Sequence, residues 1–204
     1  MKRILPILLG FISFAAILAA GPISYTVTVD SSSIGSSPAG FIEFQFNQAN
    51  ANTSLAATAT VSDFTSAGFT FNNTTNSSLG GVTGSLSAPP LVFDNTVGGT
   101  NLHDQGVSTF GSSFSFTLTL DGAALGTPAT DGSQFFVYLL GTDYSNLIGP
   151  AGGVAGVTIN GDTTLTTNAV EGISSVSETP EPSTVAMFGL GIAMLAIRRR
   201  VVAG

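Results

Sequence analysis

Few side chains in this 204-residue chain could carry out chemistry. Its one histidine, His103, is followed by Asp104, an order that could serve in a Ser-His-Asp or His-Asp proton relay. No Gly-x-Ser-x-Gly nucleophile elbow accompanies the pair. The segment Gly98 to Gly106 is predicted to be a loop, so we interpret His103 as a solvated loop histidine. The sequence therefore predicts no catalytic residue.

Carboxylates are the other candidate chemical groups, since the chain holds 12 Asp and Glu residues. Two carboxylates roughly 5 to 10 Å apart could hydrolyse a glycosidic bond. Among twelve acids some pair meets that distance by chance, and a sugar-cleaving cleft without Trp, Lys or Arg is poorly equipped. We therefore expect that the protein is not an enzyme.

Oxygen-rich loops raise the separate question of calcium, which prefers several carboxylate and carbonyl ligands. Candidate loops are Asp94-Asn95, Asp143 to Asn146 and Asn160 to Asp162. None matches the Asp-x-Asp-x-Asp-Gly type of calcium loop, and Asp and Asn are common in turns for backbone reasons. The chain has no cysteine, which excludes thiolate metal sites. We predict neither a metal ion nor a cofactor.

Charge is distributed very unevenly along the chain. All five basic residues lie near the ends, at Lys2, Arg3 and Arg198 to Arg200, whereas all 12 acidic residues lie between positions 21 and 181. This middle region can form no salt bridge to Lys or Arg, and its charges repel one another. Nucleic acid is excluded as a direct partner, because no basic surface is available to neutralise phosphates.

The elements that must position these residues are strands, because the dominant pattern is alternation of apolar and polar residues. Phe114, Phe116, Leu118 and Leu120 alternate with Ser and Thr, and the same period appears from Tyr25 to Val29 and from Ile42 to Phe46. The continuous apolar run Phe135 to Leu140 predicts a strand at the centre of a sheet. Asn160-Gly161-Asp162 predicts the turn of a hairpin.

Eight to ten such strands and no amphipathic helix predict an all-β fold, an antiparallel β-sandwich of jelly-roll type. We place this domain at residues 21–173. Residues 174–182 lack strand periodicity and contain two prolines, so they are predicted to be a linker.

The N-terminal end has the pattern of a signal peptide. Lys2 and Arg3 precede an apolar stretch from Ile4 to Leu18, and Ala19-Ala20 supply the small residues that signal peptidase requires. We predict that signal peptidase cleaves after Ala20, so that residues 1–20 are removed on export.

The C-terminal end combines Pro180-Glu181-Pro182, an apolar run and the basic cluster Arg198 to Arg200. The run predicts a transmembrane helix at 183–197, of marginal length for about 30 Å of hydrocarbon. Residues 198–204 form a basic tail that the positive-inside rule keeps in the cytoplasm.

This C-terminal combination resembles the PEP-CTERM sorting signal of exported bacterial proteins. The resemblance implies that Pro180, Glu181 and Pro182 are the sorting motif, that Arg198, Arg199 and Arg200 retain the chain in the inner membrane, and that an exosortase processes it. It implies passage through the inner membrane in transit, and then a place at the cell surface, in the outer membrane or outside the cell.

For the middle domain we expect a structural role in the extracellular matrix or biofilm, in which exopolysaccharide is a candidate partner. The alternative is a carbohydrate-binding module, because sandwich sheets offer a face for sugars. Tyr138 and Tyr144 are the aromatic residues that the sequence nominates for that face.

Overall fold

A computed structural model describes residues 21–35 and 39–180, which form thirteen strands and three short 3₁₀ helices. The strands are β1 (Ile23–Asp30), β2 (Gly40–Gln48), β3 (Thr58–Ala67), β4 (Thr70–Phe71), β5 (Ser77–Leu79), β6 (Val82–Ser85), β7 (Ala88–Asp94), β8 (Leu102–Thr109), β9 (Ser113–Asp121), β10 (Ser133–Gly141), β11 (Ala155–Ile159), β12 (Leu165–Ala169) and β13 (Ser174–Thr179). The 3₁₀ helices are Ser32–Ile34, Asn73–Thr75 and Ala123–Leu125.

The strands form two sheets in which every pair of neighbouring strands is antiparallel. Sheet A has the order β13-β1-β9-β3-β7-β6, and sheet B has the order β12-β11-β10-β2-β8-β4, with β5 also paired to β8. The described residues contain no α-helix. The predicted all-β antiparallel class is confirmed, and the jelly-roll arrangement stays a prediction.

Alternation along β9 explains why these strands form. Phe114, Phe116, Leu118 and Leu120 are all buried on one face, where Phe116 lies opposite Val27 of β1. Hydroxyl side chains line the other face and hydrogen-bond across strands, as between Ser24 Oγ and Thr119 Oγ1 at 2.9 Å. The apolar set therefore selects the register, because a slip of one residue would expose it.

The two sheets pack face to face on a core of phenylalanines. Phe44 of sheet B meets Phe116 of sheet A edge to face, with ring centroids 5.5 Å apart. Phe135 of sheet B lies 6.2 Å from Phe116 and 6.1 Å from Phe93 of sheet A. Edge-to-face pairs of this kind contribute about 0.5–1.5 kcal/mol beyond the area that they bury. The fold is thus a sandwich, stabilised by burial of large apolar side chains.

The predicted central strand and hairpin lie side by side in sheet B. The run Phe135 to Leu140 lies within β10, between β2 and β11. Strands β11 and β12 form the predicted hairpin, with Ile159 opposite Leu165. The left-handed backbone conformation in this turn occurs at Thr163, with φ 71°, rather than at Asn160-Gly161.

The predicted linker was wrong for residues 174–179, which form β13 and pair with β1 along their whole length. This strand lies at the edge of sheet A and buries little, since Val176 is only half-buried and most of the other side chains are exposed. An edge strand of this kind is held by backbone hydrogen bonds, so it needs no marked apolar alternation.

The predictions for the two ends lie outside the described residues. These are the signal peptide 1–20, the transmembrane helix 183–197 and the basic tail 198–204. Within residues 21–35 and 39–180, no helix has the length and apolar character needed to cross a membrane.

Candidate functional site

The outer face of sheet B carries a row of polar side chains that crosses four strands. Tyr138 of β10 lies opposite Glu43 of β2, Glu43 lies opposite Asp104 of β8, and Asp104 lies opposite Ser77 of β5. Because successive strand residues point to opposite faces, this row lies on the side away from the core residue Phe44. Backbone pairing therefore brings together residues that are far apart in the sequence.

Two carboxylates are buried side by side in this row. The side chain of Glu43 is 8 % exposed and that of Asp104 is 3 % exposed. Asp104 Oδ2 accepts a hydrogen bond of 2.8 Å from Ser77 Oγ, whereas Asp104 Oδ1 has no partner among the described residues. An unpaired buried carboxylate oxygen is costly, because desolvation is not compensated by a hydrogen bond. Asp104 Oδ1 is therefore a buried acceptor that the described residues leave unsatisfied.

A chain of amide hydrogen bonds connects Glu43 to the end of strand β2. Gln45 Nε2 donates to Glu43 Oε1 at 2.6 Å, and Asn47 Nδ2 donates to Gln45 Oε1 at 3.1 Å. The backbone N–H of Asn101 in turn donates to Asn47 Oδ1 at 2.6 Å. These bonds fix the orientation of each amide, so polar groups along β2 are held in place before any ligand binds.

Aromatic side chains lie on one side of the carboxylate pair, on β2, β10 and the turn after β10. The turn after β10 places Tyr144, which is 56 % exposed, flat against Phe41 of β2, with ring centroids 5.1 Å apart. On β10, the ring of Phe136 lies 6.4 Å from that of Tyr138. We call Phe41, Glu43, Asp104, Phe136, Tyr138 and Tyr144 together the acidic aromatic face.

The pKa values of both tyrosines on this face are raised. Burial raises the pKa of Tyr138, and the charge of Glu43 raises it further. The pKa of Tyr144 is raised by desolvation first and then by the charges of Asp104 and Glu43. The two tyrosines that the sequence nominated thus lie in the field of the same two carboxylates.

Burial also raises the pKa of Glu43, an effect to which the Asp104 charge adds and which the hydrogen bond from Gln45 partly offsets. The folded state therefore binds a proton at Glu43 more tightly than the unfolded state does. The free energy of unfolding must therefore fall as pH rises between two pKa values of Glu43. The lower is its pKa in the unfolded chain, about 4.3, and the upper is its raised pKa in the folded protein.

We therefore expect Glu43→Gln to raise the free energy of unfolding above that window, because Gln has the same shape and no charge. The gain over wild type should grow as pH rises through the window and then level off, and denaturant titrations between about pH 4 and pH 8 would measure it. Glu171→Gln changes an exposed acid and should show no such trend. A Glu43→Gln variant that is less stable than wild type at pH 8 would contradict this expectation.

The structure corrects the prediction for His103, which lies in β8 rather than in a loop and is only 2 % exposed. Its Nδ1 is 2.8 Å from Ser78 Oγ, and its Nε2 has no partner within the described part of the chain. Burial lowers its pKa, which favours the neutral ring. His103 and Asp104 point to opposite faces as consecutive strand residues, so Asp104 does not orient the imidazole.

The predicted turn role of three aspartates is confirmed. In Asp94, Asp143 and Asp162, Oδ1 accepts hydrogen bonds from the backbone N–H and the hydroxyl of the Ser or Thr two residues later. These bonds lower the pKa values of Asp143 and Asp162. In the described ranges, no group of three or more His, Cys, Asp or Glu residues is placed to hold a metal ion.

Sequence reasoning missed most of the acidic aromatic face. It nominated Tyr138 and Tyr144 but treated Glu43 and Gln45 only as the polar side of a strand. The available signal was the mixture of aromatic and polar residues at the outward-facing positions of two strands. These positions hold Phe41, Glu43 and Gln45 on β2 and Phe136 and Tyr138 on β10. Aromatic residues on the polar side of two strands indicate a surface that is partly covered.

The predicted sorting motif begins where the described domain ends. Thr179, the last residue of β13, pairs with Ser24 near the start of β1, and the exposed Pro180 follows. Both ends of the domain therefore leave from the same corner of sheet A. Glu181, Pro182, Arg198 to Arg200 and the predicted cleavage residue Ala20 lie outside the described residues.

Residues 178–200 match a family model described as the PEP-CTERM protein-sorting motif. The match spans Pro180-Glu181-Pro182, the apolar run and the three arginines, and it begins within β13. No curated protein and no solved structure matches the chain.

Proposed function

We propose, from the premise that this chain carries a PEP-CTERM sorting motif and is therefore an exported protein sorted by an exosortase, that it serves in the extracellular matrix. Its role there would be that of a structural protein at the cell surface or in biofilm. In the sorting reaction the chain is the substrate and the exosortase supplies the chemistry, so the protein need not be an enzyme.

Composition supports a role in a hydrated matrix. The region 21–181 contains all 12 acidic residues and no Lys or Arg, and such a net charge keeps a protein soluble and strongly hydrated. Hydroxyl side chains line the outer face of sheet A, where Thr65 Oγ1 and Ser115 Oγ lie 2.8 Å apart. The mature domain would therefore remain soluble at high local concentration near the cell.

A second candidate function, carbohydrate binding, is favoured by the acidic aromatic face. Sugar rings present C–H groups that pack on aromatic rings and hydroxyl groups that need fixed polar partners. Exposed Tyr144, stacked on Phe41, offers an aromatic surface for the C–H groups. The amide chain through Gln45 and Asn47 offers fixed polar partners for the hydroxyl groups. We propose that this face is how the protein associates with exopolysaccharide.

The test is binding of the purified mature protein to a glycan array. We expect saturable binding that Tyr144→Ala weakens about tenfold or more, or by about 1.4 kcal/mol or more, since truncating a central aromatic anchor has effects of this size. The matched control is Val97→Ala, which removes an exposed apolar side chain outside the face. A flat array would contradict carbohydrate binding and leave the structural role in place.

A further inference from the structure

We propose that the acidic aromatic face selects glycans that carry free, protonated amino groups. This inference depends on the carbohydrate-binding function proposed above and specifies the class of sugar. It starts from the carboxylates of Glu43 and Asp104, which are buried together although the domain contains no Lys or Arg to neutralise them.

The first argument is the missing counter-charge. Asp104 Oδ1 is buried without a hydrogen-bond partner among the described residues, and Ser77 and Gln45 supply only neutral donors to the pair. His103 cannot supply the charge, because it lies on the core side of β8 and burial favours its neutral form. The region 21–181 has no Lys or Arg to place a positive charge at this point, whereas a protonated amine carries three N–H donors as well as the charge.

The second argument is the arrangement of the rings. Tyr138 lies opposite Glu43 across the strand pair, and Tyr144 stacks on Phe41, which lies two residues before Glu43 on the same face of β2. Aromatic faces attract cations, and aromatic side chains recognise organic ammonium groups in this way. An acidic sugar would instead be repelled by the same carboxylates.

The third argument separates an amine from an inorganic cation. Calcium takes six to eight oxygen ligands, whereas this face offers two carboxylates, and the described residues form no larger acidic cluster. Aromatic rings supply no oxygen ligand for such an ion, but they pack well against the carbon skeleton of a sugar. An amino sugar therefore uses both features of the face.

The test compares glucosamine oligosaccharides with N-acetylglucosamine oligosaccharides of equal length and with a neutral glucan, by calorimetry with the mature protein at a pH that protonates the amine. We expect the amino form to bind at least about tenfold more tightly than the N-acetylated form. Glu43→Gln and Asp104→Asn should each abolish this preference and leave binding of the N-acetylated form in place. Thermal melts of each variant establish that it is folded.

Control variants exclude attraction by net charge alone. Glu171→Gln removes one exposed acid outside the face and should leave the preference intact. If Glu171→Gln weakens binding as much as Glu43→Gln does, or if oligolysine binds as tightly as the amino sugar, the inference is overturned. If a variant at Glu43 or Asp104 fails to fold, Tyr144→Ala tests the same face through an exposed side chain and should weaken binding of the amino form.

The remaining outcomes distinguish the two proposals. Equal binding of amino, N-acetylated and neutral oligosaccharides would overturn the amine selectivity and preserve carbohydrate binding. Failure of all three to bind would overturn both proposals. A preference for the amino form that persists in both Glu43→Gln and Asp104→Asn would show that the charge is recognised elsewhere on the domain.

Discussion

Replacing Pro180-Glu181-Pro182 with alanines should leave the protein as an unprocessed precursor in the inner membrane. The matched sorting motif contains this segment, and an exosortase that cannot recognise it has no basis for selecting the chain. Deleting Arg198 to Arg200 should have the same effect, because the positive charges hold the end of the apolar run on the cytoplasmic side. We expect nearly complete loss of the mature form in both variants.

Membrane fractionation followed by mass spectrometry of the mature C-terminus would measure this effect. Glu171→Ala changes an acidic residue outside the matched segment and is expected to mature normally. Normal maturation of either motif variant would contradict exosortase-dependent sorting through these residues. Recovery of a mature protein that retains residues 183–204 would contradict it as well.

Removing one buried amide should produce the largest loss of stability that we predict, with Asn95→Ala lowering the free energy of unfolding by about 2–4 kcal/mol. Asn95 is 1 % exposed and joins the two sheets. Its Oδ1 accepts from the backbone N–H of Ala57 at 2.8 Å, and its Nδ2 donates to Leu55 O at 3.0 Å and to Ser133 Oγ at 2.8 Å. Alanine would leave these buried groups without partners.

This loss would be a large share of the 5–15 kcal/mol that is typical of a folded domain, and denaturant unfolding would measure it. The matched control is Asn168→Ala, whose exposed amide makes a single long hydrogen bond of 3.3 Å to Thr158 Oγ1. That change should alter stability by no more than about 0.5 kcal/mol. Equal unfolding midpoints for the two variants would show that Asn95 does not connect the sheets as described.

Asn95 also illustrates how local sequence can mislead. The dipeptide Asp94-Asn95 was a candidate calcium loop, and its side chains have two different roles in the fold. Asp94 Oδ1 accepts from Thr96 within a turn, a local interaction that the residue types predict. Asn95 bonds to groups about forty positions away on either side, which only the packed sandwich brings within reach.

Strand β13 shows a similar limit of sequence reasoning. A prediction from alternation requires a buried face, and Ser174–Thr179 buries almost none. Its place in the fold depends on pairing with β1, some 150 residues earlier in the chain. Such pairing depends on backbone groups that every residue carries, so residue type says little about it.

The sequence by itself determined the features that depend on neighbouring residues. Alternation gave the long strands and the all-β class, the distribution of Lys and Arg separated the two ends from an acidic middle, and the order of motif, apolar run and arginines identified the sorting signal. Only the tertiary structure decided that Glu43, Asp104 and Tyr138 share one face and that His103 lies in the core. The physical reason is that cross-strand register joins residues from separate strands, and burial is set by whichever elements cover them.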